Sequence, residues 1–456
     1  MNRLTETLAR YVCAAASARV PPEAAQIIRT GVIDNIGTML AGRKEPIVGI
    51  VRRHVAARQS NAGESSVLLN QGRAYAADAA LINATSAHAL DYDDVALSGH
   101  PSTVLVPALL AEGEAIGASG ADLIRAYLAG YEVWAELIGR DADSHHLKGW
   151  HPTAVFGTVG GAAALACLRK LDVPTSRNAL AIAASMAGGL VANFGTMTKP
   201  FHAGRAASSA IEAVRLAMLG MSAAADVLEH HAGFLAAISP AGKIDTDRPA
   251  DTLGKTLRIL DSGLSIKKYP VCYSTHRAID AVIDCAQREN IAAADVASVH
   301  AWIGVAQASM LRNHAPVTGL EAKFSLEFGV ASALVARAVG LAQLTDKFVN
   351  DAQIRALMPK VSISTTERLC TVDPSFAYTD RVEIRLADGR SIDSGEIRFA
   401  RGNAKLPLTE ADLKAKFLDC LSGVPQVNAI ALYEQLSALE AVADLRTLAG
   451  AVPVPA

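Results

Sequence analysis

Two histidines in this chain are each followed by proline and then by a hydroxyl residue: His100 in "GHPST" and His151 in "GWHPTA". Proline suits the first helical position, where a backbone N–H is not needed. Each imidazole is therefore expected at a helix N-terminus, a place that favours anions. A third loop, "NFGTMTKPFHAGRAASSA", puts Lys199, His202 and Arg205 just before or within the first turn of another helix. If three such ends converge, they make a pocket for a polyanion.

The first of these histidines ends a dense polar stretch, "HALDYDDVALSGHPST", with aspartates at 91, 93 and 94. Three chemistries compete for it: a metal site, a proton relay, or helix capping with Asx-turns. An aspartate-rich helix end in a helical protein can bind magnesium pyrophosphate. Aromatic residues make up only 5% of the chain, however, and no second acidic motif of that kind follows. Proton work is the favoured reading, with Asp91 orienting or assisting His100. A positive helix end disfavours imidazolium and a nearby carboxylate favours it, which together poise the ring near neutral pH.

Further along, "KKYPVCYSTH" carries Lys267, Lys268, Cys272, Tyr273 and His276. The lysines and a nearby helix start would favour a Cys272 thiolate. A buried inert thiol is the competing reading. A Cys272–His276 hydrolase is weaker, because the flanking residues match no known nucleophile turn.

Helices are expected to position these groups. Leu4, Leu8 and Val12 form one face of a first helix, and Pro21-Pro22 opens a second with Ile28, Val32, Ile36 and Leu40 at i+4 spacing. Further helical stretches fall near 76–90, 102–117, 121–140, 152–170, 175–191 and 203–220. The character changes near Lys267. A helix is expected around 275–288, alternation in "SVHAWIGV" marks a strand, and "DRVEIRLADGRSIDSGEIRF" reads as a hairpin turning at Asp388-Gly389. "AKFSLEFGVASALVARAVG" looks helical, as does 409–448. The expected domains are a helical body of residues 1–265, rejoined by 401–456, and an inserted α+β unit of 266–400.

Composition limits the function classes. The chain has 456 residues, 51% hydrophobic and 19% charged, with net charge -2, so no basic patch announces a nucleic acid. Its longest apolar stretches, "VFGTVGGAAALACL" and "ALAIAASMAGGLVA", are too short for the ~20 residues that span a bilayer, and no secretory leader is read at the start. Their Ala and Gly suit closely packed helices. The six cysteines have no metal-ligand spacing, which points to a reduced, cytoplasmic protein.

The segments "HALDYDDVALSGHPS", "GWHPTAVFGTVGGAAALA", "NFGTMTKPFHAGRAA", "KKYPVCYSTHRAIDA" and "AKFSLEFGVASAL", in that order, together resemble the MmgE/PrpD family. That family includes 2-methylcitrate dehydratase, cis-aconitate decarboxylase and iminodisuccinate epimerase. The resemblance implies a mainly α fold: a large helical domain with a smaller inserted α+β lid domain. It also implies a homodimer, no metal or organic cofactor, and a small polycarboxylate held between the domains.

Carried over position by position, the family's catalytic residues fall on Asp91, His100, His151, Lys199 and Lys267. Cys272 stands where the decarboxylase and dehydratase carry histidine, and Val95 where the decarboxylase has threonine. "GTMTKP", "GHPS" and "PVCY" are closer to the epimerase, whose tyrosine before the Trp-His-Pro motif is here His146. Ser102, His146, His202, Arg205, Lys268 and Tyr273 complete the expected site as substrate-binding residues.

The resulting expectation is a cofactor-independent lyase of dehydratase type, acting by proton transfer at a carbon next to a carboxylate. Epimerisation and decarboxylation are the alternatives. The non-enzyme alternative, a helical scaffold with an inactive pocket, predicts no ligand-dependent rise in melting temperature.

Overall fold

The stripe Leu4, Leu8 and Val12 is buried along α1 (Leu4–Ala15) of the computed structural model. The structure describes residues 4–58, 63–69, 71–240, 242–371, 376–424 and 427–450. The chain is mainly helical and divides into two compact units. The first comprises Met1–Leu190, Pro200–Leu264 and Thr409–Ala456; the second comprises Val191–Lys199 and Ser265–Leu408.

In the first unit, α2 (Pro22–Gly42) begins at the second proline of the Pro-Pro pair. A helix absent from the sequence reading, α3 (Pro46–Ala56), follows it, then a two-strand ribbon, β1 (Ser65–Ser66) with β2 (Arg73–Ala74). Next come α4 (Ala76–Ala89), α5 (Pro101–Ile116), α6 (Gly120–Ile138) and α7 (Pro152–Leu168). Ser119 and Asp122 close a capping box at the start of α6.

Every residue of α7 is buried, so its Ala/Gly composition serves close contact with neighbours on all sides. A Cβ added at Gly130 of α6 would lie 2.6 Å from the Gly160 carbonyl of α7. Full burial of each large aliphatic side chain in this layer stabilises the fold by about 1.5–3 kcal/mol.

Two helix boundaries differ from expectation. The helix expected over 175–191 is α8 (Val173–Met186), N-capped by Asp172, and it stops before Gly188-Gly189. The chain there runs beside the loop before α7 instead, with a Trp150–Leu190 bridge and the His151 N–H donating to the Gly189 carbonyl. The next helix, α9 (Thr198–Met218), starts earlier than read. Lys199 therefore lies in its first turn, while His202 and Arg205 lie beyond it. The short α10 (Phe234–Ile238) and α11 (Arg258–Ser262) follow, and α18 (Glu410–Cys420), α19 (Ala429–Ser437) and α20 (Arg446–Gly450) rejoin the unit near the C-terminus.

The second unit is built on a four-stranded sheet ordered β4-β3-β5-β6. Its central strand β3 (Val296–Gly304) pairs antiparallel with β5 (Arg381–Leu386), which turns at Gly389 into β6 (Ser391–Asp393). Val299, Ala301, Ile303, Val382 and Ile384 alternate into the core shared with α12 (His276–Arg288).

A strand not anticipated from the sequence, β4 (Val361–Thr366), pairs parallel with β3. Before it come α13 (Val305–Met310), α14 (Gly319–Ala322), α15 (Leu326–Ala336), α16 (Asp346–Val349) and α17 (Ala352–Leu357). The single helix expected in "AKFSLEFGVASALVARAVG" is thus broken. Ser325 interrupts it by capping the Phe328 N–H, and Arg337 ends α15 in a left-handed conformation. Among the described residues, no helix is long and apolar enough to cross a membrane.

Candidate active site

The polar stretch that begins at His88 folds back on itself through unusual backbone. After α4, Asp91 takes φ 52, a left-handed conformation that aspartate tolerates better than most side chains. Leu97 and Ser98, at φ 51 and 54, form a tight turn closed by paired bonds between Ala96 and Gly99. Neither is a residue that prefers this region, so the turn stores strain of the kind that clusters at functional sites. A Cβ at Gly99 would press on Trp134 at 2.8 Å, so only glycine fits there. His100 is thereby returned to the aspartates.

The two His-Pro segments meet directly: the His100 N–H donates to Thr153 Oγ1 at 3.1 Å. Both histidines hold the N-cap position, His100 of α5 and His151 of α7, and neither ring caps its own helix. The rings are free of that duty and turn to one another. His88 lies 4.4 Å from His100 and 5.8 Å from His151 between ring centroids; His100 and His151 are 6.5 Å apart. His202 joins from α9, its Nδ1 3.2 Å from Nδ1 of His151. Two ring nitrogens at that distance share a single proton, so one ring donates and the other accepts.

Asp93 anchors this array. It accepts from His88 Nδ1 at 2.9 and 3.0 Å, and its Oδ2 is 3.2 Å from His100 Nδ1. The His100 Nδ1 also donates to the Asp94 carbonyl at 2.8 Å. A carbonyl can only accept, so this nitrogen carries the proton, and neutral His100 is left with an unprotonated Nε2. Burial alone would raise the Asp93 carboxyl; the adjoining His88 and His100 instead hold it well below the ordinary carboxylate range. Its neighbour goes the other way. Burial pushes Asp94 well above that range, against the Ser102 hydrogen bonds, with Asp34 and Asp93 adding repulsion. The adjacent carboxyls thus shift in opposite directions, Asp93 down and Asp94 up.

A second network fixes the loop from below. Lys416 of α18 pairs with Asp34 of α2 at 2.6 Å and donates to the Tyr92 carbonyl at 2.8 Å. Ser102 is fully buried, bonded to Asp94 at 2.7 Å and Tyr127 at 2.8 Å.

Of the residues expected from the sequence, the structure brings together His100, His151 and His202, and it adds His88 and Asp93. Asp91 is buried at the turn beside them. His146 is half-buried in the turn before Trp150. Arg205 is exposed and pairs with Glu212 along α9 at 3.5 Å, which makes it a surface ion pair. The missed members had a sequence signal: His88 and Asp93 sit five residues apart across a helix end, inside the polar stretch itself.

Lys199, Lys267, Lys268, Cys272 and Tyr273 belong to the second unit. Lys199 is buried, its ammonium 5.2 Å from the ring centroids of both Phe194 and Phe324. Lys267 is among the largest fully buried side chains, whereas Lys268 is exposed. Cys272 is buried and in no disulfide, and its N–H donates to the Lys323 carbonyl at 2.8 Å. The Tyr273 hydroxyl accepts from Asn403 at 3.0 Å, and His276 turns Nε2 toward the Val271 carbonyl at 3.3 Å.

Among the described residues, ligand atoms of His88, Asp93 and His100 lie within 4.8 Å of one another, a set that could hold a metal ion. The protonated Nδ1 of His100 argues for a proton network there.

Residues 6–247 match the MmgE/PrpD N-terminal domain, and residues 269–438 match the MmgE/PrpD C-terminal domain. The chain is similar to the cis-aconitate decarboxylase of Mus musculus, with 29% identity over 401 residues, 85% of this chain and 80% of that protein. It is 28% identical over 437 residues to the Homo sapiens cis-aconitate decarboxylase, covering 91% and 87%. The cis-aconitate decarboxylase of Aspergillus terreus is 26% identical over 339 residues, covering 69% and 68%.

Proposed function

Since this chain belongs to the MmgE/PrpD family of enzymes, we propose that it is a cofactor-independent lyase acting on a small di- or tricarboxylate. The observation that carries the reading is the fixed His100 ring, with Nδ1–H held by Asp93 and the Asp94 carbonyl and Nε2 left as a base. Its similarity to cis-aconitate decarboxylases supports a polycarboxylate substrate.

In a dehydration, His100 Nε2 takes the proton from the carbon next to a carboxylate. The C–H electron pair becomes the new alkene bond as the C–O bond to a β-hydroxyl breaks. An acid, for which the His151–His202 pair is the candidate, protonates the departing oxygen to give water. Lys199 and Lys267 stabilise charge on the substrate carboxylates, and Asp91 assists the proton transfer. Decarboxylation breaks a C–C bond in place of C–O and needs a proton delivered to carbon.

A second reading is epimerisation. The hydrogen-bonded His151–His202 pair favours it, because it supplies a second proton-handling centre beside His100. The reading also includes a homodimer in the cytoplasm, a setting that suits six cysteines in no disulfide.

Incubation with a panel of di- and tricarboxylates, followed by proton NMR, tests the proposal. A new alkene proton marks dehydration, carbon dioxide with loss of one carboxylate marks decarboxylation, and inversion without either marks epimerisation. No turnover, and no rise in melting temperature with any of them, would favour the inactive scaffold.

A further inference from the structure

Asp93 is shared. Its carboxylate takes a hydrogen bond from His88 on both oxygens and meets His100 on one of them. The His88 side chain is fully buried and that of His100 largely so, and their rings pack edge to face at 4.4 Å. A carboxylate that already accepts one N–H has less negative charge to offer a second. The strength with which Asp93 stabilises His100 imidazolium is therefore set in part by His88.

We propose that His88 is a positioning residue: by sharing Asp93 with His100 it locks the His100 ring with Nδ1–H inward and limits the basicity of Nε2. This deepens the reading of His100 as the base and rests on it. A base held too strongly protonated would be idle at neutral pH, and one without a carboxylate would be too weak.

The substitutions leave the other groups facing this pair in place. From the loop these are Asp91, Tyr92 and Asp94, whose carboxyl burial pushes up. From α2 and α18 come Asp34 and Lys416, which neutralise each other at 2.6 Å. Tyr127 of α6 is pushed far up by burial and stays neutral, and His151 and His202 contribute from α7 and α9.

The experiment is a pH titration of the protein with its histidines selectively ¹⁵N-labelled, signals being assigned by single His→Gln variants. In His88→Leu the His100 midpoint should rise by about one pH unit, the scale of change that an opposite charge at this range produces. In Asp93→Asn it should fall by a similar amount, and the His88 and His100 signals should move together, since both lose the same counter-charge. An unchanged His100 midpoint in His88→Leu overturns the proposal. If that variant does not fold, a His88 signal unmoved in Asp93→Asn overturns it. The titration needs no substrate, so a wild-type protein inactive on every polycarboxylate would remove the lyase reading while leaving this result legible.

Discussion

The His100 ring is oriented by two acceptors that a sequence does not display, the Asp93 carboxylate and the Asp94 carbonyl. The histidine itself was legible, because Pro101 fixes the helix start behind it. The part of Asp93 was not, because three aspartates within four positions cannot be told apart until the left-handed turn at Asp91 sets their directions. Loss of a positioned base lowers rate by ~10²–10⁴-fold, so His100→Ala should lower kcat by that range. Melting temperature should barely move, since Pro101 and Ser102 still open α5. Asp93→Asn should move the acid limb of the kcat/KM profile to lower pH, because the imidazolium loses its counter-charge. Asp91→Asn should lower kcat and leave that limb in place. Turnover of the three variants across pH checks all of this, and near-wild-type rates in His100→Ala would return the stretch to a structural role.

The elements that hold the array depend on one close approach. Gly189 follows α8, and a Cβ there would meet Ala154 Cβ at 2.7 Å and the His202 ring at 3.1 Å. The sequence reading ran α8 through this point, since "ALAIAASMAGGLVA" is apolar throughout and periodicity does not mark where the backbone leaves a helix. A crowding methyl costs about 1–3 kcal/mol. Gly189→Ala should therefore destabilise the protein by that amount and open the His151–His202 contact, with turnover falling. Gly188→Ala is the control, for its Cβ would meet nothing within 4 Å. Equal behaviour of the two variants in denaturant melts and turnover would contradict the assignment. The strand β4 escaped notice for a similar reason. "VSISTT" is short, half-exposed and paired with a strand far away in sequence, so its signal lies in its partner. The hairpin of β5 and β6 was legible because its turn is local.

At the scale of the whole chain, the mainly helical character and the late α+β segment were open to reading from periodicity alone. Which residues outside these elements join which unit was not. Val191–Lys199 clusters with the second unit although the chain on both sides belongs to the first. Global stability carries a pH signature from a buried group the sequence did not flag. Burial lowers His145 to about 4, against the pull of Asp141. An unfolded chain protonates this imidazole below about pH 6.5, while the folded protein resists until about 4. Stability is therefore fully present above 6.5 and declines as pH falls from there to 4, by roughly 2–3 kcal/mol from this group. His145→Gln should flatten that part of the melting curve against pH, and an unaltered slope would refute it.

The central claim is that a histidine held by Asp93, without a metal, moves a proton at a carbon next to a carboxylate. Its most direct test is solvent exchange: EDTA-treated protein incubated in D2O with the substrate that the panel identifies, recovered substrate and product being read by NMR. The account predicts deuterium at that carbon with the EDTA-treated wild type and a fall of at least ~10²-fold in its rate of entry with His100→Ala. Exchange undiminished in His100→Ala, or lost with EDTA and restored by magnesium or zinc, would contradict it.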